Sequence, residues 1–201
     1  MRSAETRDEL APASPEAHVV GPEAIKGLAH PMRLRLMAEL NARGSATASQ
    51  LAAVLGESSG ATSYHLRQLH RHGFLEEDRR QGTGRERVWV PHRGGWTLPV
   101  FDLVDEPASA SAVDLVLRAQ MRADQHRLAH LMLRARTWPK HWRDATVRRE
   151  SHITLSPEQV ERMRAELEVV IDRYRDARPG KGARRVSVVF SLTPTEHQAE
   201  T

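Results

Sequence analysis

Between Ser59 and His72 the chain reads SGATSYHLRQLHRH, which holds Ser59, Ser63, Tyr64, His65, Arg67, Gln68 and Arg71 and no acidic residue. Hydroxyl, imidazole, amide and guanidinium groups on one short segment supply hydrogen-bond donors and acceptors together with positive charge. The guanidinium fork of arginine can meet two acceptors at once, as it does with O6 and N7 of guanine in the major groove. A little further on, Arg79, Arg80, Arg85 and Arg87 flank the loop Gly82-Thr83-Gly84. Donors and cations gathered in this way suit a polyanion with readable edges, which is double-stranded DNA. Ser59, Ser63, Tyr64, Arg67 and Gln68 are the candidates for bases and nearby phosphates, and His65 is expected either to pack or to donate to a phosphate. Arg71, Arg79, Arg80, Arg85 and Arg87 suit phosphate or minor-groove contact better.

These side chains need a helix to present them. Thr62, Leu66 and Leu69 recur at i, i+4 and i+7 and should pack inward, leaving Gly60, Ser63, Tyr64, Arg67 and Arg71 on the opposite face. Ser58 is a good N-cap and Gly73 a good C′ residue. Thr47 and Gln50 form a capping box for a shorter helix that ends near Leu55. Gly56-Glu57-Ser58 is then the turn of a helix-turn-helix. Residues 74–79 and 86–90 read as two strands around the loop 80–85, a hairpin wing that Pro91 and Gly94-Gly95 end. Upstream, Pro22 opens a helix, Pro31 splits the segment and Gly44 closes it, with Ile25, Leu28, Met32, Leu36 and Leu40 at helical spacing.

The distribution of charge agrees. Of a net charge of +4, the segment 22–96 carries 11 Lys/Arg against 7 Asp/Glu, and the rest of the chain has 19 of each. The whole positive excess therefore surrounds the paired helices and the hairpin. The 201 residues suffice for one large domain or two small ones. There are no cysteines, which removes disulfides and thiolate chemistry. No apolar run approaches the roughly 20 residues needed to span a bilayer, and the N-terminus lacks a signal-peptide core, so no membrane and a cytoplasmic location are expected.

Beyond the hairpin, Leu98 to Pro107 reads as an irregular connector. A long helix is expected from about Ser111 to Arg136, with Val113, Leu117, Met121, Leu128, Leu131 and Met132 on a broad apolar surface that calls for a second subunit. Trp138-Pro139 breaks it. Residues 147–155 look extended, Ser156 to Gln159 is a second capping box opening a helix to about Ala177, and residues 186–192 alternate as a strand.

The run Ala29-His30-Pro31-Met32-Arg33-Leu34-Arg35-Leu36, the Ser63 to Leu69 run SYHLRQL, and Gly73-Phe74-Leu75 together resemble the ArsR-type winged helix-turn-helix transcription regulators. The resemblance covers residues 22–96 and implies a dimeric repressor or activator on a palindromic operator. That family includes metal sensors, but cysteine sites are impossible here. Asp124, His126 and His130 come close to a histidine–carboxylate site, yet the second ligand cluster it would need is missing, so no metal and no cofactor are expected.

The expected fold is mainly α with small β: residues 1–20 a disordered tail, 21–97 a winged helix-turn-helix domain, and 98–201 a long dimerisation helix followed by a strand–helix–strand unit. The expected function is a homodimeric, sequence-specific DNA-binding regulator, a repressor in sense, with room for an unidentified small-molecule effector. An enzyme is not expected, because the chain has no nucleophile elbow, P-loop or glycine-rich cofactor turn. The alternative is a winged-helix protein-interaction module, whose exposed second helix would usually carry apolar anchors.

Overall fold

The structure is a computed structural model that describes residues 17–80, 86–175 and 177–195. The chain divides into a compact unit spanning Pro15–Val147 and a second that includes everything from Arg148 onward.

The first unit opens with strand β1 (His18–Val19) and helices α1 (Pro22–Leu28) and α2 (Pro31–Arg43). Pro31 ends one helix and begins the other, with its missing N–H placed in the first turn of α2. The His30 side chain caps α2, and Gly44, at φ 88°, ends it. Strand β2 (Ala46–Thr47) leads into α3 (Ala48–Leu55), whose capping box forms as expected. The Thr47 N–H donates to Gln50 Oε1 at 2.9 Å, and the Gln50 N–H donates to Thr47 Oγ1 at 3.2 Å. Helix α4 (Ser59–Arg71) follows, then β3 (Leu75–Glu77), β4 (Val88–Pro91) and β5 (Trp96–Thr97).

β4 is the central strand of an antiparallel β2-β4-β3 sheet in which Trp89 faces both Ala46 and Glu77. The hairpin strands are shorter than residues 74–79 and 86–90. A second, two-stranded sheet pairs β1 with β5 in parallel, His18 opposite Trp96 and Val19 opposite Thr97. Residues 18–20, read from the sequence as part of a disordered tail, are thus ordered. Val20 is fully buried, and burying one valine while pairing two backbone residues offsets the ordering cost of so short a stretch.

The connector also differs from expectation. It contains helix α5 (Val100–Val104), anchored by buried Leu103. Helix α6 (Pro107–Arg134) begins four residues ahead of Ser111, with Pro107 in its first turn. Ser109, fully buried, donates to Glu106 Oε2 at 3.1 Å and stabilises that start. The 28 residues of α6 make a rod about 42 Å long at roughly 1.5 Å per residue. Its first half supplies Ala112, Val113 and Val116 to the same core as Ile25, Leu36, Leu66 and Phe74, and α6 packs on α1. Further along, Met121, Leu128, Met132 and Leu133 are exposed. A 3-10 turn (Ala135–Thr137) and α7 (Lys140–Ala145) complete the unit.

The second unit holds helix α8 (Pro157–Arg175). Its capping box forms: the Ser156 N–H donates to Gln159 Oε1 at 2.8 Å. The flanking strands expected at 147–155 and 186–192 do not form. Alternating apolar residues make a strand only against a ladder partner, and neither segment meets one among the described residues. Val147, Ile153, Val186, Val188 and Val189 are exposed accordingly. No described helix is long and apolar enough to cross a membrane.

Candidate nucleic-acid interface

Helix α4 is amphipathic in the sense its sequence dictates. Thr62, Leu66 and Leu69 are fully buried, while Ser59, Gly60, Tyr64, Arg67 and Arg71 are exposed and Ser63 and Gln68 are half-buried. Ser58 Oγ accepts from the Ala61 N–H at 3.2 Å and fixes the N-terminal turn. Tyr64, which could have been core had the helix been rotated by one residue, is 56% exposed and stands on the outer face.

His65 stands apart from the other candidates. It is half-buried and turned toward His30, with ring centroids 4.6 Å apart. Its Nδ1 is buried without a hydrogen-bond partner among the described residues.

Several residues that the sequence reading passed over hold the helix in place. Arg35 of α2 reaches the turn between α3 and α4, donating through Nη2 to the Leu55 carbonyl at 2.8 Å and through Nη1 to Glu57 Oε1 at 3.1 Å. One guanidinium thereby ties the last turn of α3 to the turn that sets the angle between the helices. No sequence signal marks this pair, which spans more than twenty positions. Gly56, left-handed at φ 69°, gives the turn its bend. At the other end of α4, His70 donates through Nδ1 to the Leu75 carbonyl at 2.8 Å and packs on Trp89 at 5.4 Å. Helix α4 is joined there to β3 and β4.

The wing brings further cations beside α4. Arg79, Arg80 and Arg87 are exposed. The Arg80 N–H donates to Asp78 Oδ1 at 3.0 Å, and Arg87 Nη1 lies 3.5 Å from Glu77 Oε2. Exposed pairs of this kind hold a side chain only weakly, so Arg87 remains available to a stronger anion. Arg85 and the loop 81–85 lie outside the described residues. Arg33, half-buried behind Tyr64, has its charge disfavoured by burial, which pushes its pKa below the usual arginine range.

Among the described residues no three His, Asp or Glu side chains are grouped so as to hold a metal ion. Asp124 pairs with Arg127 instead. His126 and His130 border an open surface depression together with Arg127, Leu131, Leu133 and Trp138.

Residues 28–78 match a helix-turn-helix domain family. The match agrees with the helix-turn-helix expected within residues 22–96. No curated protein matches the chain. Among solved structures, HlyU from Vibrio cholerae is 18% identical, over 47% of this chain and 84% of that one, with a TM-score of 0.30. An antimony-specific transcriptional repressor, AntR, is 24% identical over 51% of this chain and 78% of that one, with a TM-score of 0.34. A homodimeric winged helix-turn-helix DNA-binding domain from Mycobacterium bovis, Mb0332, is 21% identical over 52% of this chain and 79% of that one, with a TM-score of 0.32. At such scores the likenesses carry no argument, and the assignment rests on the domain family and on the geometry of α3, α4 and the wing.

Proposed function

We propose, from the helix-turn-helix domain at residues 28–78, that the chain is a sequence-specific DNA-binding transcription regulator. In this reading α4 enters the major groove and the wing lies along the flanking backbone. The observation that carries it is the acid-free outer face of α4, where Tyr64, Arg67 and Arg71 are exposed. Ser59, Ser63, Tyr64, Arg67 and Gln68 read base edges and nearby phosphates. Arg71, Arg79, Arg80, Arg85 and Arg87 hold the backbone, and His65 supports the helix from behind.

The regulator acts in the cytoplasm as a homodimer on an inverted repeat and represses by occupying it. The exposed apolar residues of α6 support the dimer, since a solvent-facing row of Met121, Leu128 and Met132 gains by meeting its own copy. The recognition helices of such a dimer stand one duplex turn apart, roughly 34–36 Å.

Selection of bound fragments from random DNA tests the proposal. Enrichment of an inverted repeat supports it. No enrichment, together with capture of a protein partner by α4, would favour the interaction-module reading instead.

A further inference from the structure

Helix α4 rests on a seat made of imidazole and guanidinium groups. His65 lies against His30, the ring planes tilted by 37°, and Tyr64 meets His65 edge-on at 5.3 Å. His30 is itself engaged as the cap of α2, its Nδ1 accepting from the Met32 N–H at 3.1 Å. A proton on that nitrogen would end the cap, because a protonated nitrogen accepts nothing. Arg33, one turn into α2, has its Nε buried without a hydrogen-bond partner among the described residues. At the far end of α4, His72 lies on α1 across Gly27, so close that a Cβ there would come within 2.3 Å of the ring.

The charges around these histidines are unbalanced. His30 and Arg33 oppose a proton on His65, and Glu57 in the turn favours one. Arg33 and Arg71 oppose a proton on His72, and Glu23 of α1 favours one. Both carboxylates are already engaged, Glu57 with Arg35 and Glu23 with Lys26, each at 3.1 Å.

We propose that this seam is a proton-responsive seat for the recognition helix: uncharged His65 and His72 hold α4 against α1 and α2, and acidification charges them beside Arg33 and loosens the helix, so DNA reading weakens. The proposal rests on the DNA-reading role given above. Burial, followed by the neighbouring cations, lowers both histidines below the ordinary value of 6.5. Above that pH folded and unfolded chains are both neutral at these sites. As pH falls below it, the unfolded chain takes up protons first, and stability is lost progressively toward the lowered folded values. DNA phosphates would act with the opposite sign on an imidazole that reached them, but His65 is turned toward His30.

The full-length protein and its His65→Gln, His72→Gln and double variants are compared at about pH 8 and about pH 5.5, which bracket the histidine range. Thermal unfolding is followed in each, along with binding to the selected inverted repeat by fluorescence anisotropy. The unaltered protein is expected to lose both Tm and affinity on acidification, Kd rising about tenfold, and the double variant to lose less than half as much. Equal losses in all four proteins would overturn the proposal, as would binding that tightens on acidification. If the variants do not fold, NMR titration of the assigned histidine Cε1 protons in the unaltered protein decides. Midpoints for His65 and His72 below those of the exposed histidines support the seat, and midpoints at or above them overturn it. If no DNA sequence is selected, the DNA-reading role falls, while the Tm comparison still judges the seat.

Discussion

At the scale of single residues, the arginines divide by what they face. Arg67 stands exposed at the centre of the outer face of α4, where its fork can meet a guanine edge. Arg67→Ala should therefore weaken binding to the selected site by about 1–3 kcal/mol and relax the preference at one base position. Parallel selections with the two proteins would show it. Arg79 leaves the end of β3 exposed, and its charge suits a phosphate at any sequence. Arg79→Ala should weaken specific and random DNA alike and reduce the slope of log K against log salt by about 1. A base-specific loss for Arg79, or a uniform loss for Arg67, would refute this division. Which arginines are exposed could be read from helical and strand periodicity. That His65 packs is one of the two expectations for it, but its partner could not be read, because His30 sits across a proline boundary and more than thirty positions away.

At the scale of elements, the sequence marks helix starts well because caps are local. Thr47 and Gln50, and Ser156 and Gln159, each form the reciprocal bonds that their three-residue spacing prescribes. Thr47→Ala removes one of the two bonds at the start of α3 and should cost about 1 kcal/mol, within a range of roughly 0.5–2, in urea denaturation. Leu66→Ala, in the fully buried row of α4, should cost about 2–5 kcal/mol in the same measurement. If Leu66→Ala proved no more harmful than Thr47→Ala, the inward face of α4 would be misassigned. Strands were less legible because they depend on partners far away. The alternation at 186–192 promised a strand, and no described segment pairs with it. The two residues of β1 gave no alternation to read, and they pair because β5 is there. Arg35 belongs with these: its reach to Leu55 and Glu57 follows from how α2 crosses the turn, which no window of sequence contains.

At the scale of the whole molecule, α6 serves two ends at once. Its first half completes the core of the winged unit, while its second half leaves Met121, Leu128, Met132 and Leu133 in solvent. Leu128→Glu should leave Tm at low protein concentration nearly unchanged and shift sedimentation at micromolar concentration from dimer toward monomer. Unchanged sedimentation would remove this face from the interface. The pairing of β1 with β5 has a consequence for how the protein is made. His18 and Val19 pair with Trp96 and Thr97, and α1 packs on α6 as well as on α4. A chain growing on the ribosome thus cannot complete this core when the hairpin emerges; it must wait for Val113 and Val116 of α6. A nascent chain stalled just after residue 97 should remain open to protease, whereas one stalled with residue 117 clear of the exit tunnel should resist. The half-made chain would then carry α4 without a completed core behind it.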